Sequence, residues 1–353
     1  MFYVLLIATA FFLHFSDRTR VSTPIFYLFS SFVLLVISLR GNGTGLADYD
    51  AYIRIYSSIV DWYDVLNPTT HVEIGFRIVS YIGNALNLGG QYIIVVMAVL
   101  SFLPVAFLIK KYSPYKMLSI LVWFPYVMSM NMQSSRISVA VGFGVLFFIC
   151  FYKKYRVMSL VCFLLAFSFH ISSILLLCTF LTRLKLSILN SIYFILLFLS
   201  FIVGFVVILS GVLSLIGLDV FTAKFISYVN SEDYGYPMPV YDPRILISLF
   251  MVASITLIKN RVTDPFHLYL FKLFVIGSMI IVVFLDVTIL AWRLSYIFLI
   301  IGVLVVPIIS KYFISFLPRA QKVAYIAFPA MYLVLGLIIA VVAQPYILYF
   351  GAI

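Results

Sequence analysis

The chain has 353 residues, of which 65% are apolar, 18% aromatic and only 10% charged. Soluble domains carry about 45–50% apolar and about 25% charged residues, so this composition excludes a soluble domain. It predicts an all-α integral membrane protein, in which each helix satisfies its own backbone polar groups. The formal net charge of +11 implies no nucleic-acid partner, because the basic residues sit in short loops, where they set membrane orientation.

In chain order, apolar runs bounded by charge, Pro or Gly give candidate spans at 2–15, 24–39, 91–109, 116–130, 136–152, 157–169, 171–182, 187–216, 244–258, 266–285, 288–309 and 323–343. With roughly 20 residues per span, this amounts to about twelve transmembrane helices in a single polytopic membrane domain, residues 1–353. Several runs are short, so one or two are expected to be broken or partly inserted. No basic residue precedes the first run, whereas Arg18 and Arg20 follow it; this is the reverse of a cleavable signal peptide. It reads as a retained span with its N-terminus outside.

If these spans are right, every second loop should be basic. Fifteen of the 23 basic residues fall in loops assigned to the inside. Seven fall outside: Arg40, Arg54, Arg77, Arg136, Lys224, Arg244 and Arg293. Lys272 lies in a span, near enough to the inner end to snorkel inward. Of the acids only Asp17 and Asp264 fall inside, so Asp48, Asp50, Asp61, Asp64, Glu73, Asp219, Glu232, Asp233, Asp242 and Asp286 are outside. The outer-face segments 40–90 and 217–243 are the two long loops, and chemistry is expected there.

Cys150, Cys162 and Cys178 lie inside apolar runs without ligand spacing and read as core residues. No metal site, Walker loop or serine elbow is found, and no cofactor is implied.

Within the outer segment RGNGTGLADYDAYIRIYSSIVDWYDV, Tyr49, Tyr52 and Tyr56 recur at helical spacing. They share one face, either an aromatic belt at the membrane interface or a surface that contacts sugar or lipid. Gly41, Gly43 and Gly45 form either an anion-binding nest or a flexible turn. A second helical pattern puts Glu73, Arg77, Tyr81 and Asn84 on one face and Ile74, Ile78, Ile82 and Leu86 on another. In it, Glu73 and Arg77 have the spacing of an ordinary surface pair.

Depth singles out four further residues. At 1.5 Å per residue His170 lies roughly 21 Å from Arg156 and roughly 20 Å from Arg183, which puts it roughly 10 Å below the outer surface of a 30 Å hydrocarbon layer. By the same ruler Arg136, Arg244 and Arg293 sit near the outer boundary. Charge there is costly unless it lines a wet cavity or finds a partner. A cavity open to the outside is one explanation; pairing with Glu73, Asp242 or Asp286 is the other. Arginine suits bidentate capture of a diphosphate, while Asp48, Glu73 and His170 are candidate bases.

The ordered motifs RGNGTGLADYDAY, HVEIGF, SSRISVAVGF, FSFHISSILLL, KFISYV and WRLSYIF resemble the Wzy/EpsG family of bacterial polysaccharide polymerases, from residue 40 to about residue 300. The resemblance implies a C-type glycosyltransferase-like membrane fold. It also implies metal-independent polymerisation of undecaprenyl-diphosphate-linked oligosaccharide repeats at the outer face of the plasma membrane. O-antigen, capsule and exopolysaccharide are all open as products. The flippase and chain-length regulator of the same pathway are the implied protein partners. By motif it carries roles onto Asp48 and Tyr49, Glu73 and Gly75, Arg136, His170, and Arg293 with Tyr296. Arg244 is added from depth, and Tyr52 from its place on the tyrosine face. The sequence departs from the pattern after Glu73, where many members have proline. Two readings from other classes compete: a lipid-linked oligosaccharide flippase and a membrane O-acyltransferase.

Overall fold

A computed structural model describes the chain except for residues 42–47, 68–71, 134, 201, 216–221, 224, 225, 228, 231–234, 240, 317–320, 343–345, 348 and 350–353, and except for the side chains of 48, 207, 212, 213, 316, 321–325, 341 and 342. Gly43, Gly45, Asp219, Lys224, Glu232, Asp233 and the carboxylate of Asp48 therefore lie outside the described residues.

The described secondary structure is helical, apart from one bridge at Arg40. The N-terminal part comprises α1 (Phe2–His14), α2 (Ser22–Ser38), α3 (Asp48–Ser57), α4 (Trp62–Leu66), α5 (Ile74–Ala85), α6 (Gln91–Tyr112), α7 (Lys116–Tyr126), α8 (Ser135–Tyr152) and α9 (Arg156–Phe169). A 3₁₀ helix, Ile171–Arg183, leads to α10 (Leu186–Ser200) and α11 (Phe205–Leu215). Then follow α12 (Pro243–Ile258), α13 (Pro265–Val283), α14 (Thr288–Leu299), α15 (Gly302–Phe316) and α16 (Gln321–Val342).

Among the described residues the predicted apolar runs are largely helical, but three are divided, the first being run 116–130 into α7 and a π-helical turn, Val127–Asn131. Run 187–216 is α10 and α11, and run 288–309 is α14 and α15. Among the described residues four segments are long and apolar enough to cross a membrane alone: α6, α8, Pro243–Arg261 and α13; α14 and α15 qualify only as a broken pair. The run 171–182 is not α-helical. A 3₁₀ helix rises about 2.0 Å per residue, so thirteen residues cover about 26 Å, longer than the leg on which the depth of His170 was set.

The chain divides into two compact units, Met1–Ile174 with Gly302–Ile353, and Leu175–Ile301. In the first unit α6 and α8 pack closely, for a local reason. Pro104 has no N–H, so it leaves the carbonyl of Leu100 without its helical partner. Gly142 of α8 approaches that same oxygen, and a Cβ at Gly142 would meet it at 2.8 Å. Small residues allow such backbone approaches between apolar helices.

In the second unit Asp242 and Asp264 cap α12 and α13, accepting from Arg244 N and Phe266 N, each with proline at the first helical position. Gly277 of α13 faces Phe298 of α14, where a Cβ would meet the Phe298 Cβ at 2.8 Å. Lys272 Nζ donates to the carbonyl of Thr182 at 2.8 Å, covering an acceptor at the end of the 3₁₀ helix.

Candidate functional site

The predicted site residues fall into two groups, one in each unit. In the first, the segment after α2 folds back as α3, α4 and α5. Asp61 and Asp64 start α4 with a reciprocal capping box, and the amides of Asp61 and Val60 hold the Asp64 carboxyl below the usual carboxylate range.

The polar face of α5 clamps this segment. Arg77 Nη1 donates to the carbonyl of Val65, and Asn84 Nδ2 donates to the carbonyls of Tyr56 (2.7 Å) and Ile59 (2.8 Å). Tyr81 meets Trp62 edge to face. Arg77 is therefore not the partner of Glu73, which corrects the pairing expected from their spacing. The face of α5 that is buried is Gly75, Phe76, Ser80 and Gly83, whereas Ile74, Ile82 and Leu86 are exposed. A Cβ on Gly75 would meet the carbonyl oxygen of Ser168 at 2.8 Å, so glycine sets how closely α5 lies on α9.

The tyrosine face of α3 is neither a belt nor a binding surface. Tyr49 and Tyr52 are 9% and 4% exposed and, with Tyr56, belong to a core that includes Phe76, Ile93, Met97, Val139 and Phe169. Tyr49 Oη donates to Gln91 Oε1 at 2.8 Å and Tyr56 Oη to the carbonyl of Leu88 at 2.5 Å. Burial pushes the phenols of Tyr49 and Tyr56 above their ordinary pKa. Periodicity identified the face correctly, but apolar packing took it, since a buried tyrosine is accommodated once its hydroxyl finds a partner.

Glu73, the N-cap residue of α5, makes no side-chain cap bond. Its Oε2 instead accepts from Nη1 of Arg136, in the first turn of α8. Glu73 and Arg136 side chains are 21% and 27% exposed, so the pair is reachable. The guanidinium lies 6.0 Å from the centroid of the Tyr52 ring, within cation–π range. Arg136 Nε is buried without a hydrogen bond, and Glu73 Oε1 has none among the described residues. A hydroxyl therefore has the second carboxylate oxygen of Glu73 to meet.

His170 ends α9 in extended conformation. Its Nδ1 lies 2.7 Å from Ser172 Oγ and accepts from Ser172 N at 3.2 Å. In the arrangement in which Nδ1 accepts from the Ser172 amide, the ring carries its proton at Nε2. His170 also caps the 3₁₀ helix, as Asn does at helix starts. His170→Asn is thus expected to fold at wild-type levels and, if Nε2–H serves the reaction, to reduce turnover by about 10²-fold. Fluorescence-detected size exclusion and single-turnover rates check the two parts, and unchanged turnover confines His170 to capping.

In the second unit Asp242 receives Arg244 Nε (2.8 Å) and Nη2 (2.6 Å), and the same guanidinium lies 5.0 Å from the centroid of the Trp292 ring. Trp292 stacks on Tyr296 at 6.5 Å between centroids, and Tyr296 is 1% exposed. Tyr296 is thus a buried support rather than a contact surface for sugar or lipid. Asp286 accepts from Val206 N at 3.1 Å and is taken up with starting α11. Arg293 is half-buried and makes no hydrogen bond or ion pair among the described residues. Sequence reasoning missed Trp292, although it stands next to Arg293 in WRLSYIF, and it missed Arg40, whose place just before a glycine run was the only signal.

Comparison with curated proteins finds no match, and comparison with solved structures finds none either. The EpsG family profile matches residues 24–350, a range that contains nearly all of α2, the clamped segment, both groups of candidate residues and all of α16. On that match the chain belongs to the EpsG family.

Proposed function

We propose that the chain is a polysaccharide polymerase that joins undecaprenyl-diphosphate-linked oligosaccharide repeats at the outer face of the bacterial plasma membrane. EpsG membership supports a polysaccharide polymerase-type role in general, and the apolar helices fit a multi-pass membrane protein. About twelve spans in a C-type glycosyltransferase-like arrangement, with the site on the outer side, belong to this reading.

The observation that carries it is the partly exposed pair in which Arg136 holds Glu73 Oε2 while Glu73 Oε1 has no hydrogen bond among the described residues. The acceptor sugar hydroxyl, its proton passing to Glu73, attacks the anomeric carbon of the growing chain. The anomeric C–O bond breaks, and its electron pair leaves with undecaprenyl diphosphate. Negative charge grows on that diphosphate, so arginine donors stabilise the transition state more than the ground state. Within the second unit Asp242 and Trp292 engage Arg244, whereas Arg293 makes no such contact among the described residues.

Radiolabelled lipid-linked repeat incubated with the purified protein tests the reading. A ladder of longer lipid-linked glycans is expected without any cytoplasmic donor. Movement of the substrate across a liposome without elongation would indicate a flippase instead, and acylated sugar an O-acyltransferase.

Sidedness has its own test. Cysteine introduced at Asn230, in the outer segment 217–243, is expected to react with an impermeant maleimide in intact cells. Labelling only after lysis would invert the topology.

A further inference from the structure

We infer that Arg40 is the positioning residue that sets the Glu73–Arg136 pair; its effect on turnover rests on the polymerase reading above. Arg40 is 1% exposed, too buried to touch a substrate. Its Nη1 donates to the carbonyl of Asn131 at 2.6 Å and its Nη2 to Ser135 Oγ at 2.9 Å. Asn131 ends a π-helical turn, Val127–Asn131, that follows α7, and Ser135 is the first residue of α8. Arg136 comes next in the chain. A planar guanidinium with two donors fixes both the distance and the angle between its acceptors, which an ammonium cannot do. Arg40 thus determines where α8 begins relative to the turn before it, and with that where Arg136 projects. π-helical turns recur at functional sites because they aim particular side chains.

Arg40 is itself fixed from several sides. Gln91 Nε2 donates to the carbonyls of Ser38 (2.7 Å) and Arg40 (3.2 Å), while Gln91 Oε1 accepts from Tyr49. Gly41 N donates to the carbonyl of Ile347 at 2.8 Å, and Tyr349 N donates to that of Leu39 at 2.9 Å. Asn131 is held in turn, its Nδ2 donating to Ser101 Oγ at 2.9 Å. A buried guanidinium is costly to retain, and here it joins α2, α6 and the start of α8 at one point. Glu73 reaches the same place from α5, so an error in the start of α8 falls directly on the pair.

The test uses full-length protein in detergent and a thermal double-mutant cycle of Glu73→Gln and Arg136→Gln, run with Arg40 and with Arg40→Lys. Coupling between the two sites is expected with Arg40 and is lost with Arg40→Lys. Equal coupling in both backgrounds, or none with Arg40 present, overturns the inference. Should Arg40→Lys fail to fold, Ser135→Ala keeps Arg40 and removes one of its two acceptors, and a clear decrease in coupling is expected there. In the elongation assay Arg40→Lys is expected to lower kcat per folded molecule by about 10²-fold, the scale of a 1 Å misplacement, with KM little changed. A lower melting temperature with coupling and kcat intact would leave Arg40 as scaffold only. Failure of the wild-type protein to elongate refutes the polymerase reading and leaves the coupling measurement to decide on Arg40.

Discussion

Glu73→Gln is expected to reduce chain extension by about 10²–10⁴-fold, the range that general base catalysis contributes, while leaving the protein folded. Glu73 caps α5 by backbone position only, since its side chain makes no cap bond, so the amide removes no helix-capping interaction. Gln keeps an oxygen to accept from Arg136 Nη1 but cannot take a proton from a sugar hydroxyl. A partly exposed ion pair contributes roughly 0–1 kcal/mol, which bounds the stability lost to a small part of the effect on rate. Single-turnover elongation and melting temperature measured on the same preparations separate the two. Elongation within a few-fold of wild type would remove Glu73 as base. Glu73→Asp is a useful control, because it keeps the carboxylate but shortens its reach by one methylene; partial activity is expected if a base is needed at this place.

The sequence made the helices legible because apolar runs of span length have few alternatives in a bilayer. It also placed Glu73, Arg77 and Asn84 on one face of α5. What it could not show was which partner each would take. Glu73 and Arg77 have the spacing of an ordinary helix pair, yet Arg77 covers the carbonyl of Val65 and Glu73 turns to Arg136, 63 positions away. Backbone acceptors left open at the ends of α3 and α4 won Arg77 and Asn84, because an unmet polar group away from water costs more than an exposed ion pair returns.

Tyr49, Tyr52 and Tyr56 give the complementary case. Helical spacing identifies a shared face but not what covers it, and the covering residues come from helices distant in sequence, among them Ile93, Met97, Val139 and Phe169. The 3₁₀ form of Ile171–Arg183 left no mark either, since its composition is that of an apolar α-helix. Depth therefore located His170 by a ruler that held on one side only.

The same contrast between spacing and partners separates Arg244 from Arg293, which depth alone had treated alike. Asp242 accepts two hydrogen bonds from the Arg244 guanidinium and one from its amide, with Trp292 stacked under the cation. Its charge and its donors are largely committed to the start of α12. Arg293, one helix position beyond Trp292, has no such commitment among the described residues and is partly exposed. An arginine that the sequence places near the outer boundary, with no protein partner among the described residues, is expected to serve a ligand. Arg293→Lys should therefore lower turnover by about 10²–10³-fold, the loss that follows removal of one preorganised donor to a developing anion, because a point charge cannot reproduce the fork. Arg244→Lys should instead lower the melting temperature and leave turnover per folded molecule near wild type. Elongation rates normalised to the monodisperse fraction check both variants. Equal losses in the two, or a loss confined to Arg244→Lys, would move the diphosphate away from Arg293 and return Arg244 to the site.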